Sequence, residues 1–206
     1  MSMKKESSQS SDSEKAGIVD DFIDMAESVL YAVFLVLLIF TFLFRISIVE
    51  GSSMVPTLEE NDRLIVSNIF YKPKQGDIIT INCENAHLFS DSSQTEVIEA
   101  PGLNKRIVKR IIATGGQKID IDFDLGIVYI DDVQIYESYI ADLTTYDENA
   151  FEYPLTVPEG YLFVMGDNRL RSKDSRHPEV GLIKTEDIAG HVIFRISPFD
   201  KFGFIY

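Results

Sequence analysis

From Ser28 to Phe44 the chain runs 17 residues without a charge, bracketed by Glu27 and Arg45. Val29 to Phe44 is apolar all round and presents no polar face, unlike the amphipathic helix that lines a soluble core. At ~1.5 Å rise per residue such a helix reaches ~26 Å, the short end of a bilayer crossing, and the run predicts a transmembrane anchor. A cleavable export leader fits poorly. The apolar run exceeds the usual ~7–15 residues, and residues 1–27 set Lys4, Lys5 and Lys15 against seven acidic side chains. The reading is therefore a polar tail over 1–27, its first dozen residues expected to be disordered, an anchor over 28–44, and an ectodomain over 45–206. The lysines before the anchor and Arg45, Arg63 and Lys72 after it nearly balance, leaning to a cytoplasmic N-terminus.

Beyond the anchor the apolar period becomes two. Arg63 to Val66, Asp77 to Asn82, Lys105 to Ala113, Lys118 to Phe123, Ile127 to Ile130, Tyr161 to Met165 and Ile188 to Ile196 read as short strands. Turn-forming residues at Lys72 to Gly76 and at Gly115-Gly116 separate some of them. No helical period competes over comparable length, so the fold class is mainly β, an antiparallel sheet ectodomain behind one helix. Residues 83–104 read as a hairpin loop or mobile insertion, and residues 141–156 as a loop rich in Asp, Thr and Tyr.

Charge narrows the partners. A net charge of -14 excludes broad electrostatic attachment to nucleic acid, which relies on Lys and Arg neutralising phosphates. Cys83 is the only cysteine, so no internal disulfide forms. No spacing of the H-E-x-x-H kind indicates a metal, and none of the chemistry below calls for a cofactor.

Candidate chemistry lies in three stretches. Glu50-Gly51-Ser52-Ser53-Met54-Val55-Pro56-Thr57 holds two serines in a turn setting just past the anchor; by itself it is an ordinary turn. In the strand Lys105 to Ala113, the two-residue period puts Lys109 on one face between Ile107 and Ile111. Such a lysine either snorkels to water or is buried, and burial would depress its pKa and make it a neutral base. His87, His177 and His191 are the other possible bases, and spacing alone pairs none of them with a carboxylate. The third stretch, Met165 to Arg176, follows a strand with turn-forming and oppositely charged residues: Asp174 can pair with Arg176, and Ser172 can accept a proton from an amine.

Together Ser53-Met54-Val55-Pro56-Thr57, Val108-Lys109-Arg110-Ile111-Ile112 and Met165-Gly166-Asp167-Asn168-Arg169 with Asp174-Ser175-Arg176 resemble, in order and placement, the bacterial type I signal peptidases. Gly76-Asp77-Ile78-Ile79, Val157 to Tyr161, Ile188 to Gly190 and Ser197 to Phe199 extend the likeness over nearly everything after Ser28. The resemblance implies that Ser53, not Ser52, is the nucleophile and Lys109 its general base. It implies that Ser172 hydrogen-bonds the lysine, that Asp167, Asp174 and Arg176 hold the catalytic loop, and that the backbone N–H of Ser53 serves the oxyanion. Gly51 stands where some relatives have a serine that adds a hydroxyl to the oxyanion hole; Arg171 replaces an asparagine, and Ala113 to Gln117 a different turn.

The implied activity is that of a membrane-anchored serine endopeptidase with a Ser/Lys dyad, which removes signal peptides from secretory preproteins with A-x-A-like sites. It would act at the lipid bilayer of a bacterial cell membrane, with the catalytic domain on the extracytoplasmic face. Ser53 follows Arg45 by eight residues, at most ~26 Å of extended chain at ~3.3 Å per residue. Two other classes stay open at this point: an inactive relative serving surface-structure assembly, and a membrane-tethered binding domain. A soluble self-cleaving repressor does not fit, since residues 1–27 are too short and acidic to bind DNA.

Overall fold

The computed structural model describes the backbone of residues 3–205, and side chains from residue 22 to 205 apart from residue 42. It divides the chain into two units, Met1–Leu43 and Phe44–Tyr206.

The first unit is a single helix, α1 (Met3–Leu43). Within it Phe22–Thr41, 20 residues of mean hydropathy 2.2 with none buried, is long and apolar enough to cross a membrane. It begins six residues before the uncharged run of the sequence and takes in Asp24 and Glu27. The polar stretch expected to be disordered is instead helical from Met3, its first two residues lying outside the described part. Residues 3–27 hold no proline, and once a helix exists each added residue gains a backbone bond at little entropic cost.

The second unit is built from antiparallel strands: β1 (Arg45–Ile48), β2 (Arg63–Ser67), β3 (Ile78–Phe89), β4 (Val97–Thr114), β5 (Lys118–Asp122), β6 (Ile127–Ile130), β7 (Val133–Gln134), β8 (Leu155–Thr156), β9 (Tyr161–Met165), β10 (Ile183–Lys184), β11 (Ile188–Ser197) and β12 (Gly203–Phe204). The larger sheet has the order β1-β2-β11-β3-β4-β9-β10, with β12 also on β11, and the smaller has β7-β6-β5-β8.

Alternation explains the packing. In β5 the isoleucines Ile119 and Ile121 turn inward while Lys118, Asp120 and Asp122 stay nearer water. They meet Ile112, Phe163 and Met165 of the larger sheet, together with Phe151, in a core between the two sheets. Ile79, Ile81, Ile107, Ile111 and Val164 form a second cluster, and Leu64, Val66, Ile78 and Val192 a third, into which Met54 and Leu58 insert.

Two elements differ from the sequence reading. The segment 83–104 is mostly strand: β3 and β4 stay paired out to Phe89 and Val97, with a register shift between Cys83 and Asn85. Its polar composition hid the ladder, because pairing satisfies backbone groups whatever the side chains. β1 carried no readable alternation, since it follows directly on the apolar run; its pairing with β2 defines it, Arg45 opposite Val66 through Ile48 opposite Arg63.

Candidate active site

Ser53 lies in the loop from β1 to β2. Val49 N–H donates to Asp62 O and Asn61 N–H to Val49 O, both at 2.9 Å, which closes the base of that loop. Met54 and Leu58 are buried beneath it, the apolar counterpart of a turn whose other side meets solvent. Asp62 accepts from Glu59 N–H and pairs with Arg195 at 2.7 Å, so the return arm is tied to β11. Gly51 has φ of 78°, the left-handed region where glycine has no steric penalty. Past it, Ser52 is exposed and Ser53 half-buried.

Lys109 sits in β4 opposite Ile79, between the buried Ile107 and Ile111. It is 3% exposed, and its Nζ lies 2.8 Å from Ser53 Oγ and 2.9 Å from the Val108 carbonyl oxygen. A carbonyl oxygen only accepts, so an N–H of the lysine points at Val108 O. The lone pair of a neutral amine is then free for the Ser53 hydroxyl. Burial draws the Lys109 pKa down from 10.5 to about 8; Asp174 and Asp167 pull it back up, and Lys105 lowers it further.

Asp167, Asp174 and Arg176 are fully buried in the loop that follows β9. Arg176 grips Asp174 with two bonds of 2.9 Å, and Asp174 also accepts from Gly166 N–H at 3.0 Å. Burial alone would raise the Asp174 carboxyl, but the Arg176 guanidinium holds it below its ordinary value. Asp167 is held from another strand: Arg110 reaches it with bonds of 2.9 and 2.8 Å. Arg110 also donates to Gly76 O at 2.8 Å and lies 4.0 Å from the Tyr139 ring centroid. Arg110 and Lys109 are adjacent, so β4 sends one cation to each face, the first to brace the loop and the second to Ser53.

Ser172 departs from its expected partner. It is buried, but the hydrogen bonds of Lys109 run to Ser53 and Val108, and the Ser172 hydroxyl is instead among the groups that hold the Asp174 carboxyl low. The loop meets Ser53 through its backbone, Asn168 N–H donating to Ser53 O at 3.0 Å.

Several residues of this framework escape a sequence reading. Arg169, fully buried, donates Nε to Gly166 O at 3.0 Å and forks onto Glu137. Its own carbonyl accepts from Arg176 at 2.8 Å. A buried guanidinium needs a carboxylate, yet nothing in the sequence nominates Glu137, 32 residues away. The histidines stand apart: His87 bonds Leu182 O at 3.1 Å, His191 stacks on Tyr71, and His177 Nδ1 accepts from Glu179 N–H. Among the described residues no cluster of His, Cys, Asp and Glu is placed to hold a metal ion.

Ser53 and Lys109 open onto a cleft of about 680 Å³. One wall is β1, an edge strand that among the described residues pairs with β2 alone. The other is the stretch of β4 before Arg110, which pairs with β3 but not with β9.

This chain is similar to known proteins over most of its length. The family model described as signal peptidase, peptidase S26, matches residues 22–197. A probable signal peptidase I-1 of Synechocystis sp. is 34% identical over 177 residues, covering 84% of this chain and 81% of the relative. Signal peptidase I T of Bacillus subtilis is 34% identical over 189 residues, covering 87% and 88%. A signal peptidase I of Bacillus amyloliquefaciens is 36% identical over 186 residues, covering 85% and 86%. With its serine and buried lysine at the head of a cleft and a family match spanning both the apolar helix and the sheets, the chain belongs to the signal peptidase family, peptidase S26.

Proposed function

We propose that this protein is a membrane-anchored serine endopeptidase that removes N-terminal signal peptides from secreted preproteins, with Ser53 as nucleophile and Lys109 as general base. The observation that carries the reading is the 2.8 Å contact between Lys109 Nζ and Ser53 Oγ, made by a lysine whose pKa burial lowers to about 8. At that value an appreciable neutral fraction exists near pH 7, which an ordinary lysine lacks.

Neutral Lys109 takes the Ser53 proton as Oγ attacks the scissile carbonyl carbon. The resulting oxyanion faces the Ser53 backbone N–H, which has no acceptor among the described residues and so is free to donate. Lysine, now an ammonium, returns the proton to the departing amine of the mature chain, and the signal peptide remains as an ester on Ser53. Lys109 then deprotonates a water that attacks the ester, releasing the signal peptide carboxylate and restoring the serine hydroxyl.

The two open strand edges of the cleft suit an extended chain, whose backbone would bond to them while small side chains before the cut fit below. Sites of the A-x-A kind are the expected targets. The window Phe22–Thr41 anchors the enzyme in the bilayer with its N-terminus cytoplasmic and the catalytic unit on the far side, where enzyme and substrate share a membrane surface. Asp167, Asp174 and Arg176 act as loop supports, and Ser172 as a buried hydroxyl behind the dyad.

The test is cleavage of a preprotein by the full-length enzyme in detergent. Ser53→Ala and Lys109→Ala each abolish it, and Ser52→Ala keeps most of it. Full activity in either of the first two variants overturns the dyad.

A further inference from the structure

The chain as a whole has a formal net charge of -14, yet the cleft at Ser53 is rimmed by cations. Lys105, Arg106, Arg171 and Lys173 line it, and Glu50 is the single carboxylate among the lining residues. All four cations are exposed. Lys173 pairs with Glu179 at 2.7 Å, and Arg106 donates Nε to the neutral Asn82 at 3.1 Å. Lys105 and Arg171 have no carboxylate within 4.0 Å among the described residues. Lys105 lies four residues before Lys109 on the same face of β4, about 13 Å along the strand at ~3.3 Å per residue, within reach of its long side chain from a guest bound next to Ser53.

Like charges gathered in a concavity repel one another and focus a positive potential there, most of all where low-dielectric walls exclude water. In an acidic protein such a cluster is matched by a negative group on the guest. We propose that this rim makes the enzyme select preproteins that carry a carboxylate beside the scissile bond, an inference that rests on the cleft being the preprotein site. The third and first positions before the cut take small residues. The carboxylate therefore falls at the second position before the cut or at the first two after it. Anionic lipid headgroups share this chemistry, but they present a plane, whereas these cations line the same hollow as Ser53.

The experiment uses the full-length enzyme in an uncharged detergent and preprotein pairs that differ only by Asp or Asn at each of those three positions. The readout is the ratio of kcat/KM within a pair, from which a uniform loss of activity cancels. The Asp form is cut about 5-fold better at one or more positions at low ionic strength, and the ratio falls toward one in ~0.5 M salt. The double variant Lys105→Gln/Arg171→Gln brings the ratio below about 2-fold, while Lys105→Arg/Arg171→Lys preserves it. A ratio near one at all three positions in the unmodified enzyme overturns the proposal, as does a ratio that the Gln variant leaves unchanged. If instead the ratio is near one and phosphatidylglycerol vesicles accelerate the unmodified enzyme but not the Gln variant, the rim reads lipid and the proposal fails. Failure of the underlying reading is distinct: neither substrate is cut, or Ser53→Ala cuts both.

Discussion

Gly166 and Ser172 approach so closely that a side chain at Gly166 has no room: a Cβ there would collide with Ser172 Oγ and with the carbonyl oxygen of Ser53. The absence of one methyl group is what lets the loop after β9 lie against Ser53. Gly166→Ala therefore forces two elements of the site apart. Stability falls by about 1–3 kcal/mol, the usual range for overpacking. Cleavage falls by roughly 100-fold, as for a misplacement of about 1 Å. Thermal midpoints and kcat/KM on one preprotein check both.

The pH dependence of cleavage follows from Lys109. Only the neutral amine accepts the Ser53 proton, and its pKa stands at about 8 because burial disfavours the ammonium. Below that value kcat/KM falls about tenfold per pH unit, and above it the rate levels off. Rates measured from pH 6 to 9 decide this; a profile flat between 6 and 8 contradicts the role of Lys109 as base.

The same lysine weakens the fold. Its folded pKa is below its unfolded value of 10.5, so between about 8 and 10.5 the unfolded chain holds more protons and stability rises with pH. Below about 8 the penalty is full, on the order of 3 kcal/mol at about 1.4 kcal/mol per pH unit. Lys109→Met is accordingly inactive but more stable at pH 7, with a gain that shrinks as pH approaches 10.5. Denaturant midpoints of the two proteins at pH 7 and pH 10 measure the difference.

Glu137→Ala strands the guanidinium of Arg169, whose side chain is 0% exposed against 6% for Glu137. Removing one partner of a buried pair costs about 3–5 kcal/mol, because the remaining charge stays out of water. The variant unfolds at lower denaturant. Where it remains folded, its activity is also reduced, since Arg169 spans Gly166 and Arg176 in the loop beside Ser53. Equilibrium unfolding and kcat/KM at low temperature separate the two effects.

The apolar run, the alternating strands and the three motif stretches were legible along the chain because each is a local pattern: an uncharged stretch, a period of two, residues in short order. The period also put Lys109 between Ile107 and Ile111, though it left open whether the lysine was buried or reached water. What local pattern does not contain is distance between remote segments. The contact of Lys109 with Ser53 spans 56 residues and exists because Met54 and Leu58 sink into the third core cluster while β4 is held between β3 and β9. Tertiary packing likewise gave Arg169 its partner in Glu137, turned residues 83–104 into a ladder and left Ser172 without the lysine. The sequence by itself determined which residues are present to do chemistry and on which face of a strand each lies. Only the tertiary structure decided that a lysine would lose its water, because desolvation depends on what the rest of the chain packs around it.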